Sequence, residues 1–201
     1  MFIVGVTGGI GSGKSTVSNY LEDKGLKVLD ADKISNQVTA SGGSAVPEVA
    51  EVFGPKSIDD DGAMNRKYIS DIVFHDRMKL DLLSSIVHKH VFVEMERIIA
   101  EETEKNTKCL ILDVPIPVKR FIDISDQVWV VTCDISTRIS RLLDRGLSRD
   151  EAMRRIAMQL SDDEYSDLGD FVIDNSGTIE ETYAMVDELI KSQLVERGIR
   201  V

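Results

Sequence analysis

The sequence predicts a doubly wound α/β fold with a parallel sheet, and three observations predict it. Short runs rich in Val, Ile and Leu, apolar without strict alternation, occur at 2–7, 27–30, 108–113, 127–133 and 170–174, as buried parallel strands require. Helical patterns separate them, the ordering of an α/β protein. A glycine-rich junction, Gly8-Gly9-Ile10-Gly11-Ser12-Gly13-Lys14-Ser15, links the first strand to the first helix.

Taken in order, Phe2-Ile3-Val4-Gly5-Val6 suits a core strand, and Thr16 to Glu22 has helical spacing. The stretch from about 31 to 105 contains helices and no convincing strand. Within it Leu80, Leu83, Val87, Val91, Met95 and Ile98 recur at spacings of three and four, one face of a long helix. The segment reads as a helical insertion between the second and third strands. A final helix at about 179–196 is expected to bury Ile179, Tyr183, Val186, Leu189, Ile190 and Leu194. Thr178-Ile179-Glu180-Glu181 supplies a capping box at its start, and Ser148-Arg149-Asp150-Glu151 supplies another earlier. The organisation expected is a single domain over 1–201. Its core takes in about 1–30, 106–137 and 165–201, with the insertion at about 31–105 and a lid at about 138–164.

The chain has 201 residues and a formal net charge of −11. That balance argues against general nucleic-acid binding, which needs a basic footprint. No apolar run approaches the 18 or so residues of a membrane span, and the N-terminus carries no leader pattern. Cys109 and Cys133 fall in apolar runs and read as buried reduced thiols. The expectation is a cytoplasmic protein, monomeric or weakly self-associating, that acts on a small molecule.

The junction at 8–15 fits G-x-x-x-x-G-K-[ST], the phosphate-binding P-loop. A strand that ends in a glycine loop opening a helix aims successive N–H groups and the positive helix end at one point. Gly9, Gly11, Ser12, Gly13, Lys14, Ser15 and Thr16 form the candidate nucleotide cradle. Lys14 is expected to reach the β- and γ-phosphates of ATP, and the Ser15 hydroxyl to join Mg²⁺.

Asp32, in Asp30-Ala31-Asp32, follows the second strand at the ligand edge of such a sheet. It is a candidate general base, or else a helix cap. Asp113 closes the run Leu110-Ile111-Leu112 and has the form of a Mg²⁺-holding strand-end aspartate, although an Asp at a strand end is common. Arg138, Arg141, Arg145, Arg149, Arg154 and Arg155 lie within eighteen residues. The first three share a helix face, with Ile139, Leu142 and Leu143 opposite. They suggest either a lid that brings guanidinium groups to a transferring phosphoryl group or a solvated surface. His75, His88 and His90 lack metal-site spacing. Asp59-Asp60-Asp61-Gly62 reads as an acidic turn.

Together these pieces resemble the dephospho-CoA kinase family nearly end to end. The resemblance runs through Val6 to Thr16, then Val28-Leu29-Asp30-Ala31-Asp32, whose second aspartate the family uses as base. It continues at Phe53-Gly54, Asp61-Gly62 with Arg66, and Ile72-Val73-Phe74. Arg141, Arg145, Arg155 and Gln159 fit its lid. Val172-Ile173-Asp174-Asn175-Ser176-Gly177 is similar to its last strand and loop, near the adenine of ATP. The resemblance implies a three-layer P-loop kinase fold with a five-stranded parallel sheet, use of ATP and Mg²⁺, and phosphorylation of the ribose 3′-hydroxyl of dephospho-CoA. Lys14, Asp32, Arg141 and Arg145 are its implied catalytic residues, and Asn175 joins the nucleotide site.

Two segments depart from the family pattern. His88-Lys89 stands where the family has His-Pro, which lets the long helix run on uninterrupted. Pro115-Ile116-Pro117-Val118-Lys119 replaces Pro-Leu-Leu-x-Glu. Both fall on the acceptor side, so a related kinase with another nucleoside- or sugar-like acceptor is the alternative. A nucleotide-binding regulator with little turnover is a further one.

Overall fold

The computed structural model describes residues 1–74 and 76–201. In chain order it contains β1 (Phe2–Thr7), α1 (Lys14–Asp23), β2 (Lys27–Asp30), α2 (Ala31–Thr39), α3 (Val46–Phe53), α4 (Arg66–Val73) and α5 (Arg77–Glu104). There follow β3 (Cys109–Asp113), α6 (Lys119–Ile124), β4 (Gln127–Thr132), α7 (Ile135–Asp144), α8 (Arg149–Ala157), α9 (Asp162–Leu168), β5 (Phe171–Asp174) and α10 (Ile179–Leu189). Every strand lies within one residue of its expected bounds. The chain divides into two compact units, one comprising 1–30 with 106–201 and the other 31–105.

The first unit is a five-stranded sheet in the order β2-β3-β1-β4-β5, with every pairing parallel. The inner strands are the most apolar because both their faces are covered. All five residues of β3 are buried, whereas the edge strands β2 and β5 mix buried with exposed positions. Alternation along the strands sorts side chains into two layers. Val4, Val6, Cys109, Ile111, Trp129, Val131 and Ile173 join Val17 and Leu21 of α1 and Val186 of α10 in one core cluster. α6 packs against β1 and α9 against β4; Phe121 of α6 is fully buried. Trp129 is also fully buried, paired in register with Val6, and its indole N–H donates to the Gln127 side chain at 3.3 Å.

The connection leaving β1 runs to β2 on one side, and that leaving β3 runs to β4 on the other. A crevice therefore opens at the carboxyl ends of β1 and β3, the position where open α/β sheets receive ligands.

The second unit is helical, apart from an isolated bridge between Ile58 and Met64. Val49, Ile69 and Ile86 form its buried centre, with Phe53, Ile58, Met64, Val73 and Leu83 packed around them. Asn65 and Asp76 cap α4 and α5 by accepting from the N–H groups of Tyr68 and Lys79. α5 runs for 28 residues through His88-Lys89 without a break, as the missing proline allows. Asp59 to Gly62 form a turn closed by Gly62 N–H donating to the Asp59 carbonyl at 2.9 Å. Among the described residues, no helix is long and apolar enough to cross a membrane. His75 lies outside the described residues.

Several local expectations are corrected. Leu80, Leu143 and Ile179 are exposed. Leu80 and Ile179 stand in the first turns of their helices, ahead of the packed face. α10 stops at Leu189, and its apolar face continues through a wider turn over Ile190–Leu194, where Ile190 and Leu194 are buried. The Thr178–Glu181 capping box is complete. The one at Ser148 is half-formed: Ser148 accepts from Glu151 N–H, but the Glu151 carboxylate pairs with Arg154 and Arg155. A further complete box, Ser161 with Glu164, opens α9.

Cys109 and Cys133 are free and buried. Burial, aided by Asp126, pushes the Cys109 thiol up to about 12, and burial also raises Cys133.

Three expectations follow. In urea unfolding, Leu194→Ala should cost about 2–5 kcal/mol, whereas Ile179→Ala stays within about 0.5 kcal/mol. A disulfide reagent at pH 8 should leave both thiols unmodified in the folded protein and titrate both in urea. The unfolded Cys109 thiol ionises near its ordinary value and the folded one later, so its contribution to stability falls as pH rises from about 9 towards 12.

Candidate active site

The glycine loop sits at the crevice between the carboxyl ends of β1 and β3. Gly13, immediately before α1, has φ +93°, a left-handed conformation that glycine adopts at little cost. A Cβ there would also strike the Asn175 amide. Among the described residues, no protein acceptor is found for the N–H groups of Gly11, Gly13, Lys14 and Ser15. They are the orphan donors of a helix N-terminus and the loop before it, the arrangement that binds phosphate.

The loop's carbonyls are tied down from beneath. Arg138 Nε donates to the Ile10 carbonyl at 3.0 Å. Arg141 Nη1 donates to those of Ser12 at 3.2 Å and Gly11 at 3.4 Å, and its Nη2 to Asn175 O at 2.9 Å. Asn175 is buried; its Nδ2 donates to the Ser12 carbonyl at 2.7 Å and its Oδ1 accepts from the Thr182 hydroxyl at 2.8 Å. The Ser12 hydroxyl is buried without a protein partner among the described residues.

Lys14 Nζ donates to the Asp113 carboxylate in an ion pair that is almost wholly buried. Asp113 lies in register with Val6 on one side and Asp30 on the other, so the loop, Asp113 and Asp30 share one sheet edge. Asp32 is exposed in the first turn of α2, two residues beyond Asp30. Ser15 is exposed near the start of α1.

The arginine group divides. Arg138 is buried and Arg141 half-buried against the loop, whereas Arg145, Arg149, Arg154 and Arg155 are exposed. Arg154 and Arg155 are held by Glu151. The expected face of three arginines therefore has two members serving the loop and one facing solvent. Periodicity alone does not distinguish a buried arginine from an exposed one, and Arg138 lacks the apolar signature of a buried position. Asp162 was not singled out from the sequence, and nothing in the pattern marks it; it accepts from Arg138 Nη1 at 2.7 Å.

Comparison with known proteins decides what kind of phosphate site this is. Residues 2–181 match the family model described as CoaE: Dephospho-CoA kinase. The chain belongs to the dephospho-CoA kinase family. A dephospho-CoA kinase from Carboxydothermus hydrogenoformans is 40% identical over 182 residues, which cover 90% of this chain and 88% of that one. A Thermus thermophilus crystal structure is similar with a TM-score of 0.78 at 27% identity, covering 96% of this chain and 97% of that one. The fold also matches that of a dephospho-CoA kinase from Campylobacter jejuni, with a TM-score of 0.71 at 21% identity and coverage of 96% and 98%.

The Asn175 contacts give a direct test of how this family site is held. Asn175→Leu removes the shorter of two hydrogen bonds to the Ser12 carbonyl, leaving that from Arg141, and the shorter of the two made by the Thr182 hydroxyl, leaving that to the Thr178 carbonyl. The expected loss is about 1–3 kcal/mol in urea unfolding.

Proposed function

We propose that this protein is an ATP-dependent kinase that transfers the γ-phosphoryl group of ATP to the ribose 3′-hydroxyl of dephospho-CoA, giving coenzyme A. The observation that carries this reading is the glycine loop. Its orphan N–H groups and Lys14 meet at the sheet crevice, in a chain matched to the family over residues 2–181.

In this reading the loop from Gly9 through Thr16 cradles the phosphates of ATP, with the open N–H groups of Gly11, Gly13, Lys14 and Ser15 as donors, and Lys14 exchanges part of its bond to Asp113 for the β- and γ-oxygens. The Ser15 hydroxyl and the Asp113 carboxylate are hard oxygen donors, suited to Mg²⁺, which takes one or two protein oxygens alongside phosphate. They would hold it, and when bound it neutralises charge on the β- and γ-phosphate oxygens. Asp32 is assigned as the base that takes the proton of the attacking hydroxyl. It follows by two residues the strand that ends in register with Asp113. Arg141 and Arg145 are assigned to the phosphate charge that builds during transfer. Asn175 serves the nucleotide by fixing the Ser12 carbonyl.

The core segments 1–30, 106–137 and 165–201 would carry the nucleotide, 31–105 the acceptor, and 138–164 a lid whose middle closes while its two ends, at Arg138 and at Gln159 to Asp162, stay on the glycine loop. The role is that of a cytoplasmic enzyme, monomeric or weakly self-associating, with small-molecule partners and none among nucleic acids.

Purified protein with ATP, Mg²⁺ and dephospho-CoA should yield a product heavier by one phosphate in mass spectrometry. No mass gain on dephospho-CoA, with a gain on another nucleoside-like alcohol, would transfer the reading to a related acceptor, where Pro117 and Lys119 depart from the family. Asp32→Asn should lower kcat by on the order of 10²–10⁴ while the ATP Kd stays unchanged.

A further inference from the structure

Arg138 has no part in the chemistry just described, yet it is among the largest fully buried side chains, 2% exposed. A guanidinium is buried only where partners replace water. Its Nε donates to the Ile10 carbonyl and its Nη1 to Asp162 Oδ1, while Nη2 finds no acceptor among the described residues. On the other side of the same residue, Ile10 N–H donates to Gln159 Oε1 at 2.6 Å. A Cβ at Gly9 would stand 2.5 Å from Arg138 Nη2 and 3.3 Å from Gln159 Oε1, so a side chain at position 9 would have to displace these two groups.

We propose that Arg138, Asp162 and Gln159 form a clamp that fixes the crest of the glycine loop, Gly9-Ile10, to the segment 158–168. Arg138 and Gln159 are then positioning residues for nucleotide binding. The proposal rests on the kinase reading for its functional consequence and on the geometry for its existence.

The far end of the clamp is itself anchored. Asp162 opens α9, whose start is closed by the Ser161–Glu164 capping box. Tyr165 is buried, and its hydroxyl donates to the Pro115 carbonyl at 3.4 Å. The choice of groups is also informative. Gln159 accepts through a neutral oxygen, so it holds the loop without placing negative charge where phosphates arrive. Arg138 puts a cation beneath the loop, and the Asp162 side chain that balances it remains 45% exposed, where solvent weakens the compensation. A loop held in its binding conformation before ligand arrives loses less entropy on binding.

The test uses the full chain, with ATP as titrant in calorimetry and with amide hydrogen exchange on the nucleotide-free protein. Gln159→Leu and Arg138→Met should each weaken ATP binding by about tenfold, the worth of one charge-assisted or buried hydrogen bond. The double variant should fall well short of the product of the two, because both bonds hold one residue. The acceptor KM should stay within about twofold. Gln159→Leu removes a single hydrogen bond from a half-buried side chain, so it decides the matter if Arg138→Met unfolds. In that variant the Ile10 amide should exchange at least about tenfold faster than in the wild type. Unchanged ATP affinity in Gln159→Leu, full multiplicativity in the double variant, or unchanged Ile10 exchange would each overturn the clamp. If the wild type itself binds no ATP, the kinase reading falls, and Ile10 exchange alone then judges the clamp.

Discussion

A phosphate-binding loop must satisfy two opposed demands: its N–H groups have to remain available, and its backbone has to stay in one conformation. Hydrogen bonds are the usual means of fixing a backbone, but bonds to the N–H groups would consume the binding site. Here the loop is fixed mainly through its oxygens: the Ile10 N–H is given to Gln159 and that of Ser12 to the Gly9 carbonyl, while those of Gly11, Gly13, Lys14 and Ser15 find no acceptor among the described residues and stay open. The carbonyls of Ile10, Gly11 and Ser12 accept from Arg138, Arg141 and Asn175, while that of Gly13 accepts from Thr16 and Val17. Each of these side chains is a donor, two of them charged, which is the chemistry needed to hold a carbonyl firmly. Much of the surrounding structure exists to present these donors: β4 leads into α7, β5 leads to Asn175, and Thr182 on α10 braces that amide.

The same arrangement answers the problem set by an acidic chain that has to hold a polyanion. Net charge acts at long range and is screened within about 10 Å at ordinary salt, so the local field decides. Arg138 and Arg141 lie under the loop, Lys14 stands at its end, and the positive terminus of α1 adds to them. The carboxylates close to these cations, Asp113 and Asp162, lower the cost of keeping them out of water without cancelling the N–H groups that face the crevice.

Much of this was legible in the sequence. The five strands were readable because buried parallel strands are apolar on both faces, and the P-loop because its glycine and lysine positions have few other uses. Family motifs marked Arg141 and Asn175, but which atoms they hold was not readable. Arg138 looked like a third member of an exposed face, since helical periodicity gives direction and not depth. Leu80 and Ile179 show the related failure at helix starts, where an apolar residue keeps the right phase but lies beyond the packed region. Ser148 shows a third kind: a local motif was present, but Arg154 and Arg155 competed for Glu151 and won. What pattern reading cannot supply in these cases is the competing tertiary partner.

Trp129 is the only tryptophan in the chain, enclosed on β4 beside the strand that feeds the glycine loop. Its emission therefore comes from a dry environment, blue-shifted and shielded from quenchers dissolved in the solvent. With no second indole to blur the signal, the protein carries an optical gauge of whether its central sheet is intact.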